Sequence, residues 1–163
     1  MNYKVTQLGK ELDKSKYTFD ETTKCFSSEE NNLVLDFNTS SNCTFKTGSG
    51  CTFNTSSGCT FNTWSNCTFN TGYYCTFNTG YNCTFKTGYN CTFKTGSDCT
   101  FKTEEKCVVT RRDIYEIIEL EEWKEIKLNW WMKKGFTYIE EKKRSITLEL
   151  TDKQIEEINN IIW

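Results

Sequence analysis

An eight-residue repeat in the middle of the chain constrains the fold more than any other feature. Cysteine recurs every eight residues from Cys43 to Cys107 without a slip in spacing. Each full copy has the form Cys-Thr-Phe-(Asn or Lys)-Thr, followed by three residues drawn mostly from Gly, Ser, Tyr and Asn. We number the positions of a copy 1 to 8 from its cysteine. Strict periodicity of this kind indicates a repetitive architecture in which each unit packs on its neighbours.

The alternation of residue types within a copy predicts a β-strand with one buried face. Positions 1, 3 and 5 (Cys, Phe, Thr) would point to one side of a strand, and positions 2 and 4 to the other. Position 4 is lysine in several copies, at Lys46, Lys86, Lys94 and Lys102, so that side must reach solvent. The Cys/Phe side is therefore the core. Positions 6 to 8 would form a corner in which Gly, Asn and Asp supply a positive φ.

Two closures of such a sheet are open to the sequence. In a β-solenoid each strand pairs in parallel with the equivalent strand one coil away, and the Cys/Phe side is buried within one chain. In an antiparallel meander that side stays open and needs a partner sheet. We predict an all-β fold of the solenoid type. A flattened coil of two strands is favoured over a triangular coil of three, which gives about five coils at about 4.8 Å each.

The segments on either side of the repeat are predicted to cap it. Residues 1–34 would form an N-terminal cap with a strand near residues 1–8 and a hairpin of residues 16–19 and 24–26. The repeat itself would span residues 35–114, with Leu35 at the cysteine position of a degenerate first copy and Val109 at the Phe position of the last. Residues 115–163 would form a small β-rich C-terminal domain that ends in one α-helix.

The C-terminal domain carries the most varied pattern. Strands are predicted at residues 113–120, 126–131, 136–140 and 145–150, the last from the clean alternation of Ile146, Leu148 and Leu150. Thr151 has the character of an N-cap with Gln154 as its capping-box partner. The amphipathic helix would follow over residues 152–163.

The cysteines invite metal or redox chemistry, but their spacing favours a packing role. Thiols at a fixed spacing of eight residues on stacked strands would form columns, whereas a zinc site needs a tetrahedral cage. The chain has no histidine and no Cys-x-x-Cys pair. We therefore expect reduced, buried thiols and no metal or cofactor, with Cys25, which lies outside the register, as the most reactive thiol. The sequence offers no nucleophile–base pair and no phosphate-binding loop, so we expect no enzymatic activity.

Charge and hydropathy limit the classes of partner. The net charge is −2 and the charges are spread along the chain, so we expect no nucleic-acid partner. The sequence has no apolar run near eighteen residues and no charged-then-apolar leader, so we expect no membrane partner and no secretion signal. The outward column of position-2 threonines resembles ice-binding surfaces, but Asn or Lys interrupts the Thr-x-Thr pattern that such surfaces need. Ice binding is accordingly a weaker hypothesis than protein binding.

Exposed aromatic residues are the candidate interaction site. Tyrosines and one tryptophan gather at the corner positions of the repeat, and a Trp-Trp pair occurs in the C-terminal domain. Aromatic residues of this kind supply much of the binding energy of protein interfaces. The candidate residues are Trp64, Tyr73, Tyr74, Tyr81, Tyr89, Trp130 and Trp131.

The Cys-Thr-Phe-(Asn/Lys)-Thr-Gly octad resembles that of uncharacterised octapeptide-repeat proteins of bacteriophages and uncultured viruses. The segments that flank it, residues 31–37 and 107–120, share the likeness. The resemblance implies a β-solenoid, a viral origin and a location in the host cytoplasm or the virion, and it implies no activity. Pentapeptide-repeat proteins are similar in design, but the repeat length differs and this chain lacks their acidic character.

The functional expectation is a non-enzymatic, structural or protein-binding β-solenoid. Its partner would be another protein or a further copy of the same chain. Two alternatives remain open: a self-assembling fibre or oligomer component whose coils continue between chains, and a viral antagonist of host defence.

Overall fold

The computed structural model describes residues 3–140, which form β-strands and one turn of 3-10 helix at Lys14–Lys16. The strands are β1 (Lys4–Gln7), β2 (Lys10–Glu11), β3 (Thr18–Asp20), β4 (Cys25–Ser27), β5 (Leu33–Phe37), β6 (Thr44–Thr47), β7 (Thr52–Thr55), β8 (Thr60–Thr63), β9 (Thr68–Asn70), β10 (Thr76–Asn78), β11 (Thr84–Thr87), β12 (Thr92–Thr95), β13 (Thr100–Thr103), β14 (Cys107–Arg111), β15 (Ile117–Leu120), β16 (Glu125–Leu128) and β17 (Phe136–Tyr138).

The strands form two sheets that pair every second strand in parallel, as a two-sided solenoid requires. Sheet A has the order β17-β16-β13-β11-β9-β7-β5-β1-β2, and sheet B has the order β15-β14-β12-β10-β8-β6-β4-β3. The register joins equivalent residues sixteen apart, for example Thr76 with Thr92 and Phe77 with Phe93. The predicted β-solenoid is therefore confirmed, and the coil contains two copies of the repeat. Consecutive copies lie on opposite sheets, which excludes the meander.

The core consists of the Cys and Phe side chains predicted to face inward. Every Cys and Phe of the full copies is at most 1% exposed. Within a sheet the rings stack: the centroid of Phe77 lies 4.9 Å from that of Phe61 and 4.8 Å from that of Phe93. Across the core the rings meet edge to face, with Phe77 at 5.2 Å from both Phe69 and Phe85. Both geometries are favourable aromatic contacts, so the phenylalanines bind the two sheets to each other.

Positions 6 and 8 of the corner have different roles. The positive φ lies at position 8, which is most often Asn, Gly or Asp; examples are Asn66, Asn82 and Asp98. Glycine at position 6 does not adopt a positive φ in any coil. At Gly72 the missing side chain allows close packing, because a Cβ there would lie 2.2 Å from the Oγ of Ser57 in the preceding coil. The predicted positive φ of the corner is therefore present, and it lies at position 8.

The first parallel strand of sheet A, β5, is shifted relative to the predicted register. Leu35 pairs with Phe53 and so occupies the Phe position, two residues from the cysteine position that the sequence indicated. The shift moves Phe37 from position 3 to position 5 of the core face, where its ring lies 5.0 Å from that of Phe45 and 4.8 Å from that of Tyr3. An aromatic side chain thus fills the end of the core at a site where later coils have threonine. At the other end, Val109 pairs with Phe93 as predicted.

Antiparallel strands cover both ends of the parallel ladder. At the N-terminal end, β1 pairs antiparallel with β5 and β3 with β4, and the hairpin predicted there is confirmed. At the C-terminal end, β15 pairs with β14, β16 with β13, and β17 with β16. Ile118, Leu120, Ile126 and Leu128 join the solenoid core. The predicted strand at 145–150, its Thr151 cap and the helix at 152–163 lie outside the described residues.

Candidate interaction site

The sixteen-residue coil separates the predicted corner aromatics onto two edges of the solenoid. Edge 1 comprises the corners that follow sheet A strands, at residues 56–58, 72–74, 88–90 and 104–106. Edge 2 comprises those that follow sheet B strands, at residues 48–50, 64–66, 80–82 and 96–98. Tyr73, Tyr74 and Tyr89 lie on edge 1, and Trp64 and Tyr81 lie on edge 2. The sequence left the coil size open and so did not assign the aromatics to separate edges.

The three tyrosines of edge 1 pack on one another at the surface, and we call them the tyrosine cluster. The Tyr73 and Tyr89 rings are stacked at 4.9 Å, and each lies 5.4 Å from Tyr74 in an edge-to-face arrangement. Tyr73 is 44% exposed and Tyr74 57% exposed, while Tyr89 is half-buried. Desolvation, followed by the proximity of Tyr74 and Tyr73, raises the pKa of Tyr89. The cluster is a neutral, rigid aromatic surface.

The backbone at Tyr74 is in a conformation that favours other residues. Its φ is +56°, in the left-handed region, where the equivalent corners Asn42 and Asn90 carry asparagine and Gly58 carries glycine. Asn and Gly tolerate this region, whereas a bulky aromatic residue is an outlier there. Such strain concentrates at functional sites. The tyrosine at position 74 therefore costs stability that an asparagine would not.

A shallow groove of about 680 Å³ runs along the solenoid axis beside the tyrosine cluster, and we call it the axial groove. Its lining extends from Asn38 at one end to Trp123 at the other, with Tyr73 on one side. Position-4 side chains of successive coils, including Asn70 and Lys86, form the opposite side. The groove is elongated because every coil contributes the same positions to it.

The floor of the axial groove lies partly at the position-6 glycines. Gly72 and Gly88 both line it, and the Gly88 amide donates to the Gly72 carbonyl at 3.2 Å. Both glycines pack against the preceding coil: a Cβ would lie 2.2 Å from the Ser57 Oγ at Gly72 and 3.2 Å from the Tyr73 N at Gly88. Trp123, which sequence analysis did not select, closes one end; it is 61% exposed and has a φ of +61°. Its place was not predictable because it follows from the pairing of β16 with β13.

The aromatic residues of edge 2 occupy two separate positions, unlike the packed tyrosine cluster of edge 1. Trp64 is 72% exposed and Tyr81 is 58% exposed, and they occupy successive coils joined by a hydrogen bond from the Gly80 amide to the Trp64 carbonyl at 3.1 Å. Trp64 borders a smaller hollow of about 530 Å³ with Lys46 and Asn62. The predicted corner residues therefore form one cluster on edge 1 and two separate positions on edge 2.

Trp130 and Trp131 lie on the turn between β16 and β17, which we call the tryptophan turn (residues 129–135). They are 71% and 60% exposed, and Met132 beside them is 61% exposed. The turn is closed by hydrogen bonds from Lys133 N to the Trp130 carbonyl at 3.0 Å and from Asn129 N to the Gly135 carbonyl at 3.1 Å. The turn therefore has a fixed backbone and exposed apolar side chains.

A buried ion pair holds the tryptophan turn against the last coil. The Arg111 side chain is fully buried and contacts Asp113 at 2.6 Å, while its Nη1 donates to the Lys133 carbonyl at 2.6 Å. Asp113 accepts from the Met132 amide at 3.2 Å. Burial alone would raise the pKa of the Asp113 carboxyl, but the Arg111 hydrogen bonds and charge and the Met132 amide hold it below the usual range. Glu116 accepts from the Gly135 amide at 3.0 Å.

The thiols are part of the core rather than of any surface site. All ten cysteines are free, nine are buried, and Cys25 is half-buried. Burial raises the pKa of Cys59 to about 11 and also raises that of Cys43. Among residues 3–140, no group of three or more Cys, Asp or Glu side chains is placed to hold a metal ion. Nor does any helix within that range have the length and apolar character to span a membrane.

Comparison with known proteins gives no further assignment. No protein-family model, curated protein or solved structure matches the chain.

Proposed function

We propose that the protein is a non-enzymatic, rigid β-solenoid that binds a protein partner through edge 1. The observation that carries the proposal is Tyr74, a bulky residue held at positive φ within the tyrosine cluster. Asparagine or glycine occupies equivalent corners at lower cost. A packing role alone does not account for the tyrosine, since its side chain is 57% exposed.

The axial groove supports an extended segment of the partner as the bound element. Its long, shallow form matches a peptide chain, and successive coils contribute equivalent positions to its lining. Lys86 lines the groove, and Glu104 lines it as well. An acidic side chain on the partner would complement Lys86. Tyr73 and Trp123 would supply the aromatic anchors at its side and end.

The ends of the solenoid favour this module over self-assembly. A fibre whose coils continue between chains needs open parallel strands at both ends. In the described residues, antiparallel strands follow the parallel ladder at each end instead. This arrangement opposes the parallel pairing of a strand from another chain with the end of the ladder.

A viral origin, implied by the resemblance of the octad, belongs to the same proposal. It makes a host protein the first class of partner to test, with a location in the host cytoplasm or the virion. Antagonism of host defence is then one outcome of such binding rather than a separate mechanism.

The test is selection of a random peptide library on the immobilised full-length protein. We expect a family of peptides that share acidic and aromatic residues. Their affinity should fall at least about tenfold, as for loss of an interface hot spot, when Tyr73, Tyr74 and Tyr89 are all changed to Ser. The matched control on edge 2, Trp64→Ser with Tyr81→Ser, should bind as the unmodified protein does.

The single variant Tyr74→Asn separates binding from folding. It places at this corner the residue that Asn42 and Asn90 provide, so it should stabilise the fold by about 1 kcal/mol while weakening peptide binding. Failure to enrich any shared peptide, or equal loss of binding in the edge 2 control, would contradict the proposal. So would a Tyr74→Asn variant that binds the selected peptides at full affinity.

A further inference from the structure

We propose that the tryptophan turn docks the protein on the surface of an anionic membrane. The turn presents three consecutive large apolar side chains, Trp130, Trp131 and Met132, each at least 60% exposed. The turn follows β16 at the edge 2 end of β13, where the Leu128 amide donates to the Cys99 carbonyl, whereas the axial groove and the tyrosine cluster lie along edge 1. The surface is therefore separate from the one assigned to the protein partner.

The tip of the turn combines the two features that a lipid interface recognises. Tryptophan is amphipathic and settles at the headgroup level of a bilayer. Lys133 and Lys134 follow the apolar residues directly and are exposed. Neither forms an ion pair with another residue of the described part of the chain. Cationic side chains next to a membrane are attracted by its anionic headgroups.

The backbone of the turn is held in place before any contact is made. Arg111 donates to the Lys133 carbonyl, and Asp113 accepts from the Met132 amide. Asn129 donates through its side chain to the Lys134 carbonyl at 2.7 Å. Met132 has a φ of +60°, in the left-handed region that favours other residues. A fixed backbone reduces the entropy that binding must remove.

The acidic groups at the base of the turn do not oppose this contact. Asp113 is paired with the buried Arg111 guanidinium, and its side chain is 1% exposed. Glu116 accepts hydrogen bonds from the Gly135 amide and lies 3.5 Å from Arg111. The exposed charges at the tip are therefore the two lysines, and their sign complements an anionic surface.

A membrane fits this geometry better than a protein pocket does. Two adjacent, exposed indole rings need a shaped cavity in a protein partner, whereas a lipid interface accepts them without one. Docking from the surface also requires no spanning segment, because binding scales with buried apolar area and electrostatic attraction. The contact would thus be peripheral, and it departs from the expectation of no membrane partner.

The test is co-sedimentation of the full-length protein with vesicles of phosphatidylcholine containing about one-third phosphatidylserine. We expect binding to these vesicles and much weaker binding to vesicles of phosphatidylcholine alone. Removing Lys133 and Lys134 by substitution with Gln should lower the partition coefficient about fivefold for each lysine. The double variant Trp130→Ala, Trp131→Ala should lower it at least tenfold.

The matched control is Trp64→Ala, which removes an equally exposed tryptophan from edge 2 and should leave vesicle binding unchanged. All the substituted residues are exposed, and circular dichroism would verify that each variant keeps its β-structure. Absence of binding to the anionic vesicles would overturn the proposal. Equal binding by the Trp130→Ala, Trp131→Ala variant would also overturn it. A protein that the unmodified chain binds in place of vesicles, and that this variant loses, would assign the turn to a protein partner.

Discussion

The phenylalanine at position 3 is the residue on which each coil depends most. Its ring stacks on the same residue in the coils above and below and meets two rings of the opposite sheet edge to face. Removal of one ring therefore breaks contacts in both directions. The cysteine beside it fills the narrow margin of the core, where its thiol faces backbone carbonyls, as Cys59 does with Ser57 at 3.6 Å.

Phe77→Ala should lower the free energy of unfolding by about 3–5 kcal/mol, as expected for an aromatic side chain deleted from a packed core. Phe77 is 0% exposed. Asn78→Ala is the control, because Asn78 follows it in β10 and points to solvent; it should change stability by less than about 0.5 kcal/mol. Urea denaturation measures both. Equal effects of the two substitutions would mean that the ring columns do not hold the sheets together.

The raised pKa of Cys59 gives stability a defined pH dependence. The folded protein retains the thiol proton up to about pH 11, whereas an unfolded chain releases it near about pH 8.5. The unfolded state thus binds fewer protons between these values, so the free energy of unfolding falls as the pH rises through this window. Below about pH 8 this contribution is complete.

Urea denaturation at pH values between about 8 and 10 checks this sign. The unmodified protein should lose stability more steeply with pH than Cys59→Ala, which lacks the titrating group. The comparison cancels the contribution of the tyrosines and lysines that also titrate in this pH range, because both proteins contain them. Parallel slopes would show that burial of this thiol does not shift its pKa.

At the scale of the strand and its corner, the repeat uses glycine at position 6 for space and position 8 for positive φ. The composition of the corner predicted that such residues were needed, and it predicted the strand before them. It did not tell which position did which, because that depends on the atoms of the preceding coil. Ser57, which lies beneath Gly72, precedes Tyr73 by sixteen residues in the chain, and its Oγ accepts a hydrogen bond from the Tyr73 amide at 3.2 Å.

Two glycines at the same repeat position should respond differently to alanine. A Cβ at Gly72 would lie 2.2 Å from the Ser57 Oγ and 3.2 Å from the Ser57 Cα, whereas one at Gly96 would meet nothing closer than 3.4 Å. Gly72→Ala should therefore cost about 1–3 kcal/mol, and Gly96→Ala less than about 0.5 kcal/mol. Thermal or urea unfolding measures the difference. If both changes prove equally harmful, the close packing at Gly72 is not the reason for its glycine.

The candidate surfaces were only partly predictable at the scale of these elements. The octad placed the aromatics at corners, but the division between edges 1 and 2 needs the coil size. The tryptophan turn needs long-range contacts, since Arg111 and Lys133 are 22 residues apart in the chain. The shifted register of β5 has the same origin, because Phe37 packs on Tyr3 and Phe45 rather than on sequence neighbours.

At the scale of the whole molecule, the periodic sequence predicted the solenoid and the direction of every repeated side chain. A solenoid buries all the Cys and Phe side chains within a single chain, whereas a meander would need a partner sheet; the spacing alone left a coil of two or of three strands open. The strand pairing of the caps was harder to predict, because these strands pair with the ends of the repeat and have no periodicity of their own.

The capped ends predict a monomer. Light scattering should give the 19.1 kDa mass of one chain, without an increase as the protein concentration is raised. Antiparallel strands at the ends of both sheets oppose further parallel pairing. A mass that grows steadily with concentration would instead support assembly through the coil ends.

The two-sided coil is the central claim, because it places the tyrosine cluster on one edge and Trp64 with Tyr81 on the other. Nuclear Overhauser contacts between backbone protons of the isotope-labelled protein test it most directly. The account predicts parallel contacts between residues sixteen apart, such as Thr76 with Thr92 and Phe77 with Phe93. Backbone contacts of Phe77 with Phe85, as in a meander, or with Phe101, as in a triangular coil, would contradict it.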